Sequence, residues 1–391
     1  MHIERILAAA TLVLPMAGCA DDNSGSTPGP IEIGSVSTLS GPATFSEAPQ
    51  AARAVFDDVN AKGGINGRKI AYTVGDDKGD PATAMLVARE VIQNKKAVAL
   101  AGGASLVDCQ VNGPLYDRNK IADIRGIGAD PGCFASPNIS PVNTGPFFGS
   151  TVTLYYASEK LKATKVCAFF TILTAKALAA FREGVDRWSK ITGKKLVVND
   201  LSLTTATTNY TPYIQRARRA GCQAVLFSGL EPMSIGWVKA AQAQNITNIK
   251  WLFLAPTYTV EASKVLGTAG KDVIALSEFE PYTDEKSVAN EDWRDIMTRH
   301  NVPLTAFAQG GYLAARHLIT VLRSIKGDIT RAAVTKAMKE FEPLETPMTG
   351  MPYVFGTGNS HASNRAAKFV SPDGKGGWTV LTPEWIKLPG T

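Results

Sequence analysis

Four histidines and five cysteines are the residues through which this chain could hold a metal ion or carry a nucleophile. His2, His300, His317 and His361 are scattered, without the short spacing that sets two imidazoles on one metal. No C-x-x-C occurs, and neither G-x-S-x-G, H-E-x-x-H nor G-x-x-x-x-G-K-[ST] is present. The segment from Gly126 to Gly132 spells G-x-G-x-x-x-G, near the dinucleotide fingerprint, but it is one residue too long and Pro131 interrupts it. No catalytic residue, metal ligand or cofactor site is therefore expected. What remains is the chemistry of disulfides and of small-molecule binding by polar and aromatic loop residues.

Cys19 stands apart from the other cysteines. "MHIER" carries one arginine, "ILAAATLVLPMAG" is apolar and small, and Cys19 follows. That is a secretory signal peptide over residues 1–18, too short for a membrane span of about 20 residues. Met16-Ala17-Gly18-Cys19 resembles the bacterial lipobox, whose cysteine receives lipid after cleavage, with Met16 where leucine is usual. The plainer reading is an ordinary signal peptide with a chance cysteine. Residues 19–30 are polar and rich in Gly, Ser and Pro, a tether composition. A lipidated Cys19 would hold the exported domain on the outer face of the cytoplasmic membrane. Cys109, Cys133, Cys167 and Cys222 then suit two disulfides in an oxidising compartment, with three pairings possible. Pairing Cys109 with Cys133 and Cys167 with Cys222 keeps each bond within one expected domain. The alternative is buried free thiols.

These residues need a scaffold. The chain has 391 residues, 45% of them apolar, enough for two domain cores. Its net charge of +6 is dispersed, with no Lys/Arg run longer than two, which argues against a nucleic-acid surface. Residues 31–36 read as a strand. Ala48, Ala51, Ala52, Val55, Phe56 and Val59 mark a helix face, stopped by Gly63-Gly64. Residues 69–74 are the next strand, and Asp80-Pro81 start a helix buried through Ala84, Met85, Ala88, Val91 and Ile92. A third strand spans 97–100. A second set follows: strands at 166–172, 196–198, 224–227 and 249–254, and helices around Phe181 and Trp188, over 212–220 and over 234–244. A long helix carries Phe307, Ala314, Leu318 and Leu322 on one face, another covers 330–341, and 368–381 reads as a hairpin. Strands alternating with amphipathic helices imply parallel sheets that bind ligands at strand C-termini.

In order, "IEIGSVSTLSGP", "AKGGINGRKI" and "GDDKGDP" resemble the N-terminal half of the leucine/isoleucine/valine-type solute-binding proteins of bacterial ABC transporters. "GGAS", "GGYLAARHLI", "FGTG" and "SPDGKGGWTV" continue the likeness, which runs from about residue 31 to 381. The resemblance implies an α/β fold of two Rossmann-like lobes with parallel sheets, joined by a three-strand hinge, of the type I periplasmic-binding kind. Lobe one would be 31–147 plus 282–350, and lobe two 148–281 plus 351–391. It further implies a monomer without enzymatic activity that traps a small molecule by hinge closure and delivers it to a permease and its ATPase.

The resemblance also implies contacts. "LSGPATFS" puts Phe45 or Ser46 at the ligand, and "GGASLVD" puts Ser105 where the family hydrogen-bonds a carboxylate, with Leu106 beside it. A helix cap is the alternative role for Ser105. Ala129 and Asp130 replace the usual Ala/Thr pair, and Phe148, Leu173 and Tyr258 complete the set. Two features depart from the family: residues 171–174 lack its tyrosine, and "LAPTYT" lacks its carboxylate. A buried ammonium needs an acidic partner. Glu231 or Asp130 would supply it; otherwise the ligand lacks an α-ammonium. The expected solute is a branched-chain amino acid or an apolar or aromatic carboxylate, in a pocket with few placed polar groups. A ligand sensor reporting to a receptor is the alternative reading, and a two-lobed enzyme a remote one.

Overall fold

The computed structural model describes residues 29–41, 43–362 and 364–390. The expected signal segment, Cys19 and all but the last two tether residues lie outside them.

The first run comprises β1 (Ile31–Ser37), α1 (Glu47–Ala61), β2 (Ile70–Asp76), α2 (Pro81–Arg89), β3 (Ala99–Ala101), β4 (Ala104–Ser105), α3 (Asp108–Arg118), β5 (Asp123–Arg125), β6 (Ile127–Gly128), α4 (Pro131–Phe134) and β7 (Ile139–Pro141). Five of these strands form a parallel sheet in the order β2-β1-β3-β5-β7, and β4 pairs with β6. The second run comprises α5 (Gly145–Tyr155), β8 (Val166–Thr171), α6 (Ala175–Thr192), β9 (Val198–Leu203), α7 (Thr211–Arg219), β10 (Ala224–Ser228), α8 (Glu231–Ala243), β11 (Lys250–Phe253), α9 (Val260–Leu266) and β12 (Val273–Ser277). The chain then returns to the first sheet with α10 (Glu291–Arg299), α11 (Ala306–Ser324) and α12 (Arg331–Glu340). It ends on the second with β13 (Ala366–Pro372), β14 (Trp378–Val380) and β15 (Ile386–Lys387). That sheet has eight strands, with β8–β12 parallel and the C-terminal strands added antiparallel to β12 and to one another. The chain therefore passes between the sheets three times: between β7 and α5, between β12 and α10, and between α12 and β13.

Local chemistry explains the boundaries. Gly64 ends α1 at φ +79, and a Cβ there would stand 2.0 Å from the Arg68 carbonyl oxygen. Asn66-Gly67, both at positive φ, turn the chain between the paired Ile65 and Arg68. Asp80 caps α2 by accepting from the Thr83 amide. Several details differ from the sequence reading. Helix α8 starts at Glu231, because Pro232 suits a first turn. Strand β9 runs Val198–Leu203 rather than 196–198, with Val198, Asp200 and Leu203 turned inward. Met85 is 39% exposed, so Ala84 and Ala88 bury α2, and a π turn carries Val91 and Ile92 onward.

Helices α1, α10, α11 and α12 cover one face of the first sheet, while Val36 and Leu100 on the other meet α2 and α3. Both disulfides form, Cys109–Cys133 tying α3 to α4 and Cys167–Cys222 tying β8 to the turn before β10. Helices α1 and α11 touch almost backbone to backbone: a Cβ on Gly311 would lie 1.8 Å from the Ala48 carbonyl oxygen. Gly311→Ala should therefore lose about 1–3 kcal/mol in urea unfolding. Gly113→Ala, in α3 with nothing closer than 4.0 Å, should be neutral or gain up to about 1 kcal/mol. Equal midpoints would remove close helix approach as the reason for the glycine.

Candidate functional site

An open cleft lies between the two sheets. Its walls come from segments that follow β1, β4 and β6 on one side and β8 to β12 on the other, the strand ends where open α/β sheets bind ligands. Phe45 and Phe307 meet edge to face at 5.2 Å on the first side. Phe147 and Phe181, 4.9 Å apart, stand on the second with Leu173, Leu254 and Leu276. Such walls bury an apolar body.

The polar groups are few. Asp130 caps α4, its Oδ1 accepting from the Gly132 amide at 2.7 Å, and burial pushes its carboxyl up to about 6. Glu278 follows β12. Its Oε1 accepts from Asn143 Nδ2 at 3.0 Å and from the Gly145 amide at 2.6 Å, and burial pushes its carboxyl up to about 7. Thr171 Oγ1 is buried with no partner among the described residues. Thr174 Oγ1 accepts from the Ala177 amide and so caps α6. Among the described residues no Lys or Arg lines the cleft. Cys109, Asp130 and Cys133 come within ligating distance of one another, but the bond between the two sulfurs leaves no thiolate for a metal.

Of the residues expected from sequence, Phe45, Leu106, Ala129, Asp130 and Leu173 line this cleft. The others stand elsewhere. Ser105 Oγ accepts from the amides of Val107 and Asp108 and caps the start of α3. Ser46 sits at the start of α1, 3.5 Å from the Glu47 carboxylate. Phe148 lies beside Phe147 on α5 with the Arg187 guanidinium over its ring. Glu231 lies in the first turn of α8, outside the lining, although its neighbour Leu230 belongs to it. Tyr258 is buried in an aromatic cluster with Tyr282 and Trp378, its hydroxyl on Thr283.

Sequence reasoning missed Asn143, Phe147, Phe181, Thr205, Ser228, Glu278 and Phe307 as cleft residues. The one readable signal was at Glu278, an acid set between Leu276 and Phe279 at the end of an apolar run.

The Glu278 carboxyl titrates near 4.5 when unperturbed and near 7 in the fold. Its contribution to stability is full below about 4.5 and is lost as pH rises through 7, because the unfolded chain gives up the proton first. Glu278→Gln keeps an acceptor for Asn143 and Gly145 but not the titration. Urea midpoints at pH 5, 6, 7 and 8 should show the variant gaining on the wild type as pH rises, by up to a few kcal/mol. Parallel profiles would refute the assignment. Asp130, raised in the same direction, keeps part of the slope in both proteins.

A sequence model of the family described as "Periplasmic binding protein" matches residues 30–377. The chain is 22% identical over 372 residues to "Leu/Ile/Val-binding protein homolog 3" of Brucella melitensis, covering 90% of this chain and 92% of that one. It is 26% identical over 202 residues to an "Amino acid binding protein" of Pseudomonas aeruginosa, covering 49% of this chain and about half, 51%, of that relative. The crystal structure of LivJ, a branched-chain amino acid transporter substrate-binding protein from Streptococcus pneumoniae in complex with isoleucine, superposes with a TM-score of 0.75. It is 17% identical, with 92% of this chain and 99% of that one covered. The chain belongs to the periplasmic binding protein family, exported solute-binding proteins of ABC transporters that are not enzymes, and its fold is the type I form.

Proposed function

We propose that this protein is a lipid-anchored capture protein of an ABC importer that takes a small amphipathic solute carrying an N–H group, of the branched-chain amino acid kind. The parts 31–147 plus 282–350 and 148–281 plus 351–391 act as lobes that close over it. The observation that carries the reading is the cleft itself, whose walls are apolar and whose ionisable residues are the acids Asp130 and Glu278. Phe45, Phe307, Phe147 and Phe181 take the apolar body. A solute carboxylate is left to neutral donors, the loop amides and hydroxyls, while the acids complement an ammonium. The names of the relatives, Leu/Ile/Val-binding and amino acid binding, point the same way. Cys19 carries the lipid that keeps the protein beside its permease.

Thermal unfolding of the mature protein against α-amino acids and against amine-free aliphatic and aromatic acids tests the solute. A ligand at 100 times its dissociation constant adds about 2.7 kcal/mol. Stabilisation by leucine, isoleucine or valine is expected; stabilisation only by amine-free acids would reverse the solute class. Leu173 lines the cleft and is 48% exposed, so it contributes little to the fold. Leu173→Ala should leave ligand-free stability within about 0.5 kcal/mol and weaken binding by about 1–2 kcal/mol. In cells fed a fatty-acid analogue, label should enter the wild type and not Cys19→Ser. An unlabelled wild type would sink the anchor.

A further inference from the structure

Glu278 holds a position that the apolar cleft does not by itself explain. It stands on the second passage between the sheets. Its Oε1 is held by Asn143 and Gly145 on the first passage. Its own carbonyl accepts from Asn364 Nδ2, on the third, at 2.6 Å. One residue thus touches all three passages and also lines the cleft, with 5% of its surface exposed. Among the described residues its second oxygen, Oε2, accepts no hydrogen bond, and no Lys, Arg or His is paired with it. A carboxylate so placed is short of one donor and one counter-charge.

We infer that Glu278 is the acceptor for the ammonium or N–H of the solute, and so the residue that decides between amine-bearing and amine-free molecules. The assignment rests on the reading of the cleft as a solute site. The three passages fix the carboxyl where both lobes meet, so a donor that reaches Oε2 is registered against both. The ordinary titration of such a buried acid, pushed up to about 7, gives the contact a sign. An ammonium favours the ionised form, so its binding tightens as pH rises toward 7 and levels above. An amine-free carboxylate favours the protonated form and weakens over the same range. The charged groups on the surrounding elements are Asp130 in the same cleft, the Glu280–Lys368 pair, exposed Arg365 beside Asn364, and Arg125 with Asp108 and Asp123. None of them is hydrogen-bonded to Glu278. Asp130, raised to about 6, titrates lower and in the same sense.

The test is calorimetric titration of the mature protein with two matched pairs, L-leucine with 4-methylpentanoate and L-phenylalanine with 3-phenylpropanoate, between pH 5.5 and 8. The wild type should prefer the amine-bearing member of at least one pair by tenfold or more at pH 7.5. That affinity should rise several-fold from pH 5.5. Glu278→Gln should lose the rise and most of the preference. Should the variant not fold, the carboxyl 13C titration of Glu278 in the wild type gives the same answer, moving to lower pH when the amine binds. A variant that keeps preference and pH trend overturns the assignment, as does a carboxyl titration unmoved by a bound amine. If only amine-free acids bind, the assignment falls and capture stands. If none of the four binds, both fall.

Discussion

Three passages of chain cross from one sheet to the other, and their buried polar groups must be matched there. Much of the sequence from 277 to 290 follows from that constraint. Glu280 pairs with Lys368 at 2.7 Å, both nearly buried, and accepts from the Ser287 hydroxyl. The carbonyl of Glu280 accepts from Gln309, and that of Pro281 from Asn290. Glu278 and Asn364 bring in the other two passages. The match is incomplete: Gln309 Oε1 and Asn364 Oδ1 have no partner among the described residues. A buried ion pair adds little net stability over an apolar packing of equal volume. What these groups supply is matched contacts where the chain crosses between the sheets, and the cleft lies beside them.

A second buried network sets the cleft wall of the first sheet. Arg125 contacts Asp108, lies 2.9 Å from Asp123, and donates to the carbonyl of Val36 at 2.9 Å. Tyr116 and Asn112 both donate to Asp108, each at 2.7 Å. Gly103 has no side chain because a Cβ there would stand 2.6 Å from Arg125 Nη1. The end of β1, strand β5 and the start of α3 are thereby drawn onto one guanidinium, and the Cys109–Cys133 bond fastens α3 to α4 beside them. Asp130, capping α4, is held by that fastening.

The elements were legible because their signals are local. The spacing of Ala48, Ala52, Val55 and Phe56, the stop at Gly63-Gly64 and the Asp80-Pro81 start depend on neighbours within a turn or two. The disulfide partners followed from domain order alone. Cleft membership is a different kind of property, because it depends on which side chains face each other across the two sheets. Tyr258 and Phe307 are both aromatic residues near element ends, yet one completes a core with Tyr282 and Trp378 and the other faces the cleft. Ser105 shows the same ambiguity at shorter range. Its hydroxyl suits a ligand carboxylate and a helix cap equally well, and the two amides of α3 are the partners it has.

The polar chemistry of the passages also bears on how such a cleft can work. Neither sheet alone surrounds a solute: Phe45 and Phe307 belong to one side, Phe147 and Phe181 to the other. In the proposed reading a solute that touches both sides would tie the two sheets together, and any change in their angle would be absorbed at the passages. Around Glu278 these are held to one another by the side chains of Asn143 and Asn364, which can rotate about their own bonds. A continuous backbone ladder across all three passages would have to break register to move; amide and carboxyl contacts need only tilt. Polar side chains at the crossing thus serve two ends at once. They satisfy buried backbone, and in the proposed reading they would let the relative angle of the sheets respond to what the cleft contains.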